Sequence, residues 1–125
     1  MRAFTFRLKP RQDLLEQIES VVIEKNIEAG CVLSAVGSLT HATLRLANRE
    51  HFSEYEGHFE IVSMTGTVSV HGSHLHISIS DGDGTTIGGH LVPGLVQRLG
   101  GVVRVVHDRR FLVEGEADPV HPLLV

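Results

Sequence analysis

Apolar positions along this chain recur mostly with a period of two, and once with a period near 3.6. Residues 3–8 alternate, with Phe4, Phe6 and Leu8 on one face, the pattern of a half-buried strand. Pro10 ends that strand. Residues 13–26 then change period. Leu14, Leu15, Ile18, Val21 and Val22 follow helical spacing, and Lys25 continues it with a polar residue. Asp13 and Glu16 stand at capping-box separation, so the one long helix is expected to begin there. Ala29-Gly30 turns the chain. The apolar run 31–36 is expected as a buried strand, Gly37-Ser38 as its break, and 43–47 as a further strand.

The middle of the chain is strand-rich. Residues 59–64 and 67–70 are two short candidates separated by Gly66. Residues 73–80 alternate almost throughout: Leu75, Ile77 and Ile79 face one way, His74, His76, Ser78 and Ser80 the other. Asp81-Gly-Asp-Gly84 is a turn, and residues 85–91 return as the second half of a hairpin. Residues 93–99 are expected as a short helix ended by Gly100-Gly101. Residues 102–106 and 111–114 are expected as a last strand pair around Asp108-Arg109-Arg110. The whole predicts an α+β fold: a mostly antiparallel, mixed β-sheet packed against one main helix plus a short helix.

Length allows one domain, residues 1–125, from 125 residues and 13.7 kDa. A formal charge of −4 argues against a chain built to grip phosphate backbones. The 42% apolar share is that of an ordinary globular chain and argues against disorder. A single cysteine excludes an intrachain disulfide and fits a reducing, cytoplasmic setting. The opening MRAFTFRLKPRQ has no apolar signal core, and no stretch approaches a membrane span, so neither secretion nor membrane insertion is expected. Cys31 lies in an apolar run and is expected as a buried thiol.

Nine histidines are the departure from ordinary composition. His74 and His76 are two apart on a strand, so both imidazoles leave one face, roughly 6–7 Å apart at the backbone. The hairpin returns His90 beside that strand. Three convergent neutral imidazoles suit Zn²⁺, with Cu, Ni or Fe as alternatives, and leave a coordination position open. The competing reading is a solvent-facing polar pair, with His90 hydrogen-bonded near the turn. His41, His51, His58, His71, His107 and His121 have no ligand spacing. Asp81-Gly-Asp-Gly84 lacks the remaining ligands of a calcium loop. No phosphate-binding or nucleophile motif occurs.

With these residues in place, the sequence resembles the plant and prokaryote conserved (PPC) domain. The resemblance runs through nearly the whole chain. It is carried by the Asp13-Leu-Leu helix start, Ala29-Gly30, Ser34-Ala-Val-Gly-Ser38 and Gly57-His-Phe-Glu-Ile-Val-Ser63. Most specific are Gly72-x-His-x-His-x-x-x-x-Asp81 and Gly84-x-x-x-Gly-Gly-His-Leu91 together. It implies a compact α+β domain that assembles as a homotrimer. In prokaryotic members it implies a metal, zinc above others, held by three histidines, which falls here on His74, His76 and His90. The plant relatives join the domain to a basic AT-hook, which this sequence lacks. Their Gly-Arg-Phe-Glu-Ile-Leu partner stretch reads Gly57-His58-Phe59-Glu60-Ile61-Val62 here, without the permanent charge.

Three functions follow from these readings. The first is a trimeric metal-binding module that recognises a small ligand or protein partner. The second is a zinc-dependent enzyme with a metal-bound water, in which Asp81 or Glu60 acts as general base or orients a ligand. The third, weakest on charge and on the missing hook, is a DNA-associated regulator.

Overall fold

The computed structural model describes residues 1–111. Its elements in order are β1 (Arg2–Leu8), α1 (Leu14–Glu24), β2 (Gly30–Arg45), β3 (Ser53–Val68), β4 (His74–Ser80), β5 (Thr86–Leu91) and β6 (Val96–His107), followed by a 3₁₀ turn, Arg109–Phe111.

Helix α1 starts where the sequence predicts. The Asp13 carboxylate accepts the Glu16 N–H at 3.1 Å and so caps the first turn. Its other oxygen accepts the N–H groups of Gly94 and Leu95, at 2.6 and 3.0 Å, and ties the helix start to residues 81 and 82 positions away. Leu14, Leu15, Ile18 and Val22 are buried, a single stripe facing the sheet. The helix stops at Glu24, two residues before the expected end. Asn26 takes a left-handed φ of 50°, the Asn26 N–H donates to the Ile23 carbonyl, and the Ile27 N–H donates to the Val22 carbonyl. That is a Schellman closure, with Asn in the position glycine usually fills.

Strand order is β1-β6-β2-β3-β4-β5, and every ladder is antiparallel, so the sheet is not mixed. The end of β2 also pairs with β5, Leu44 opposite Leu91 and Arg45 opposite His90. Strands β2, β3, β4 and β5 therefore close on one another, which leaves β5 without a bare edge along that stretch. Leu39, Leu44, Leu75 and Ile79 fill the interior together with the apolar stripe of α1, and Phe4 and Phe6 pack against this core from β1.

Four further expectations fail, the first three for a long-range reason. Gly37-Ser38 does not break β2: Gly37 pairs with Gly101 and Ser38 with Gly100, and the strand absorbs its irregularity as bulges. Gly66 likewise does not divide β3, because it pairs with Leu75. Residues 93–99 form no helix. Asp13 holds Gly94 and Leu95, while backbone bonds join Gln97 to Arg11 and Gln12, so the chain is drawn into β6. Strand β6 pairs with β1 and β2. Phe111 belongs to the 3₁₀ turn, and residues 112–114 lie outside the described residues. Cys31 is half-buried rather than fully buried.

Candidate metal centre

Strand alternation builds the site. Along β4, Leu75, Ile77 and Ile79 are at most 2% exposed, so His74 and His76 must leave the other face. The turn that follows is made by Asp81. Its carboxylate accepts the N–H groups of Asp83 and Thr85 at 2.9 and 3.0 Å, and Gly84 supplies a positive φ of 80°. The turn fixes the β4–β5 register so that His90 lies directly opposite His76.

The three rings then converge. Their centroids are separated by 4.9 Å (His74–His76), 5.0 Å (His74–His90) and 5.4 Å (His76–His90). Interplanar angles of 41°, 75° and 73° show that the rings tilt around a common point rather than stack. One nitrogen from each lies within 4.8 Å of the others. Ligands about 2.0–2.1 Å from a tetrahedral ion stand roughly 3.3 Å apart, so small ring rotations complete the geometry. His76 is exposed while His74 and His90 are half-buried, so the point of convergence is held from the protein side and open towards solvent. An all-imidazole set suits zinc and its borderline neighbours and is a poor match for Mg²⁺ or Ca²⁺.

Close strand approach makes this possible, and one glycine is required for it. Gly66 has φ 141°, and a Cβ there would stand 2.0 Å from the His74 carbonyl oxygen. Only glycine lets β3 pass this close to the first metal-ligand candidate. Beside it, Thr67 is the cross-strand partner of His74, and its buried hydroxyl makes no hydrogen bond among the described residues. It stands where a group could orient the His74 ring. Thr65 is likewise opposite His76. Nothing in the local pattern marked Thr65 or Thr67, because a neighbour across a ladder shows only once register is known.

Glu60 and Asp81 do not join the histidines. Glu60 pairs with Ser80, four residues beyond His76 along β4, or about 13 Å of strand. Asp81 spends its carboxylate on the turn. His41 forms a separate exposed pair with Glu56 at 2.6 Å, and His121 lies outside the described residues. Asp108 and Arg110 clamp one another at the end of β6. Among the described residues no helix is long and apolar enough to cross a membrane.

The model of the Plants and Prokaryotes Conserved (PCC) domain, the PPC domain named above, matches residues 1–107. The chain is 43% identical over 94 residues to a protein called Bifunctional protein GlmU from Synechococcus sp. (strain JA-3-3Ab); the match covers 75% of this chain and 15% of that protein. A hypothetical protein from Salmonella enterica has the same fold, with TM-score 0.83 and 33% identity, over 85% of this chain and 77% of that one. A metal-containing protein from Archaeoglobus fulgidus is similar at TM-score 0.71 and 30% identity, over 86% of this chain and 79% of that one.

Proposed function

This chain belongs to the Plants and Prokaryotes Conserved (PCC) domain family, and from that premise we propose that it is a homotrimeric, zinc-binding module of the cytoplasm that takes a small ligand or protein partner at its metal site. The observation that carries the reading is the convergence of His74, His76 and His90, with ring nitrogens within 4.8 Å of one another on an accessible face. The metal-containing relative supports it. When bound, the metal supplies Lewis acidity and an open coordination position. The chain's own part is to hold three neutral imidazoles on a rigid hairpin. Among the described residues no carboxylate stands within the three-histidine group, and on that ground we favour binding over catalysis.

Trimer formation has its own support. Leu33, Val36, Val62, Leu99 and Val102 are exposed on the three neighbouring strands β2, β3 and β6, and Val36 and Val102 are direct partners. An apolar patch of this kind on an antiparallel sheet is what a further copy of the chain would cover. Elemental analysis of the purified chain after zinc supplementation should give one metal per chain, and light scattering should give three chains per particle. A metal-free protein would overturn the first part; a monomer at micromolar concentration would overturn the second.

A further inference from the structure

Arg45 is the last residue of β2 and the direct cross-strand partner of His90. On its other side His90 faces His76, which in turn faces Thr65. The row across the sheet therefore reads Thr65, His76, His90, Arg45. Antiparallel partners leave the same face with Cβ atoms about 4.5–5.5 Å apart. Burial agrees: Leu44 is fully buried, and Arg45 next to it is exposed. Gly89 sets this approach, since a Cβ there would stand 2.9 Å from the Arg45 carbonyl oxygen and 3.3 Å from the Leu44 Cβ. The Gly-Gly-His sequence thus serves the site twice, carrying His90 and bringing β2 close enough for its terminal arginine to reach the same face.

The Arg45 guanidinium makes no ion pair or hydrogen bond among the described residues. A permanent cation beside a divalent metal position repels it, and the three ligands bring no negative charge to offset either. One anion resolves both problems, by giving one oxygen to the metal and accepting from the guanidinium with another. We propose that the site binds a small carboxylate, held between the metal and Arg45. The proposal rests on the metal reading above. Two points of attachment match the two oxygens of a carboxylate, whereas a phosphate would leave further charged oxygens without a donor. Arginine suits the task better than lysine because its charge is permanent and its guanidinium is more weakly hydrated than an ammonium, so less hydration is lost when it meets the anion's second oxygen.

The test uses the Co²⁺-substituted full chain, whose visible spectrum reports on the open coordination position. Acetate and inorganic phosphate are titrated separately into wild type, Arg45→Gln and Arg45→Lys. Acetate should perturb the wild-type spectrum and saturate. Arg45→Gln should weaken acetate about ten-fold or more with an unchanged cobalt-to-protein ratio, and Arg45→Lys should fall between. Wild type that takes up no cobalt would overturn the metal reading and this proposal with it. Cobalt bound normally, but with equal acetate affinity in wild type and Arg45→Gln, would overturn the role of Arg45 alone. Phosphate binding tighter than acetate would overturn the carboxylate assignment. Arg45 is exposed, so the substitutions should leave the fold intact, and a thermal melt of each variant confirms that the comparison is between folded proteins.

Discussion

In the β4–β5 hairpin, Leu75, Ile77 and Ile79 point inward, His74 and His76 outward, and each residue's partner lies within a few positions of the turn. Along residues 92–107 the pattern is different. Val105 and Val106 are both buried although they follow one another, and Gln97 is buried although it is polar. The partners there are Leu8, Asp13, Gly37 and Ser38, all far away in sequence. The hairpin is specified by its own alternation and its own turn. The β6 arm is specified by what already stands on either side of it. The first kind of segment tolerates chemistry on its free face, because the fold is settled by the other face. That is where the histidines are.

The sharpest way to break this contrast is His74→Ala. If the outward face carries chemistry and not the fold, the variant should lose metal and keep its structure. Binding energies of roughly 10–16 kcal/mol for complete four-ligand zinc sites imply about 2.5–4 kcal/mol per ligand, or about two to three decades of affinity. Elemental analysis should therefore find little metal, while a metal-free melt should match metal-free wild type. Protons compete for the same nitrogens, so dialysis at pH 4.5, well below the free imidazole value of about 6.5, should also release metal from wild type. Wild-type metal content in His74→Ala would remove the three-histidine site.

The inward face should respond in the opposite way. Ile77 is 2% exposed within the core cluster, and truncation leaves a cavity that the closed sheet cannot collapse around. Ile77→Ala should cost about 2–5 kcal/mol by denaturant titration. Metal per folded chain should stay at the wild-type value. Loss of metal without loss of stability would mean that the two faces of β4 are not separable.

How much of this was legible follows the same division. The α1 start, its apolar stripe, the β4–β5 hairpin and the three histidines all follow from spacings of two, three or four residues. Gly37-Ser38, Gly66 and Gly100-Gly101 read locally as breaks, yet each lies within a ladder, because glycine marks close strand approach as readily as it marks an end. The neighbours Thr65, Thr67 and Arg45 left no local trace, since a cross-strand partner is a fact about register.

A test on the β6 side is Asp13→Ala. The carboxylate caps α1 and also accepts the Gly94 and Leu95 N–H groups, which turns 93–99 from a helix candidate into a strand approach. Its removal takes away the cap, worth about 0.5–2 kcal/mol, and leaves two part-buried donors short of a partner. A loss of about 1–3 kcal/mol is expected, with hydrogen exchange rising first at Gly94 and Leu95. A uniform rise across α1 alone would show that Asp13 is only a cap. Metal content should not change, because the site draws nothing from this arm.

The smallest expected effect sits at the far end of β6. The Arg110 side chain, hydrogen-bonded to Asp108, holds the Asp108 carboxyl well below the usual carboxylate range, and the Arg110 backbone N–H adds to this. A carboxyl depressed in the folded state contributes stability that is fully present above its unfolded value of about 3.9. That contribution is lost as pH falls through the folded value. Asp108→Asn removes it at every pH. The difference in melting temperature between wild type and variant should thus be constant from pH 8 to about pH 5 and shrink on further acidification. The Arg110 side chain is 78% exposed, so solvent screens the pair and the plateau difference should be the smallest of those above. Raised salt should narrow it further. A difference that grows on acidification would reverse the sign and show that the aspartate is not the charged partner. Metal release by acid should be the same in both proteins, because this clamp and the hairpin site lie on segments that the fold specifies independently.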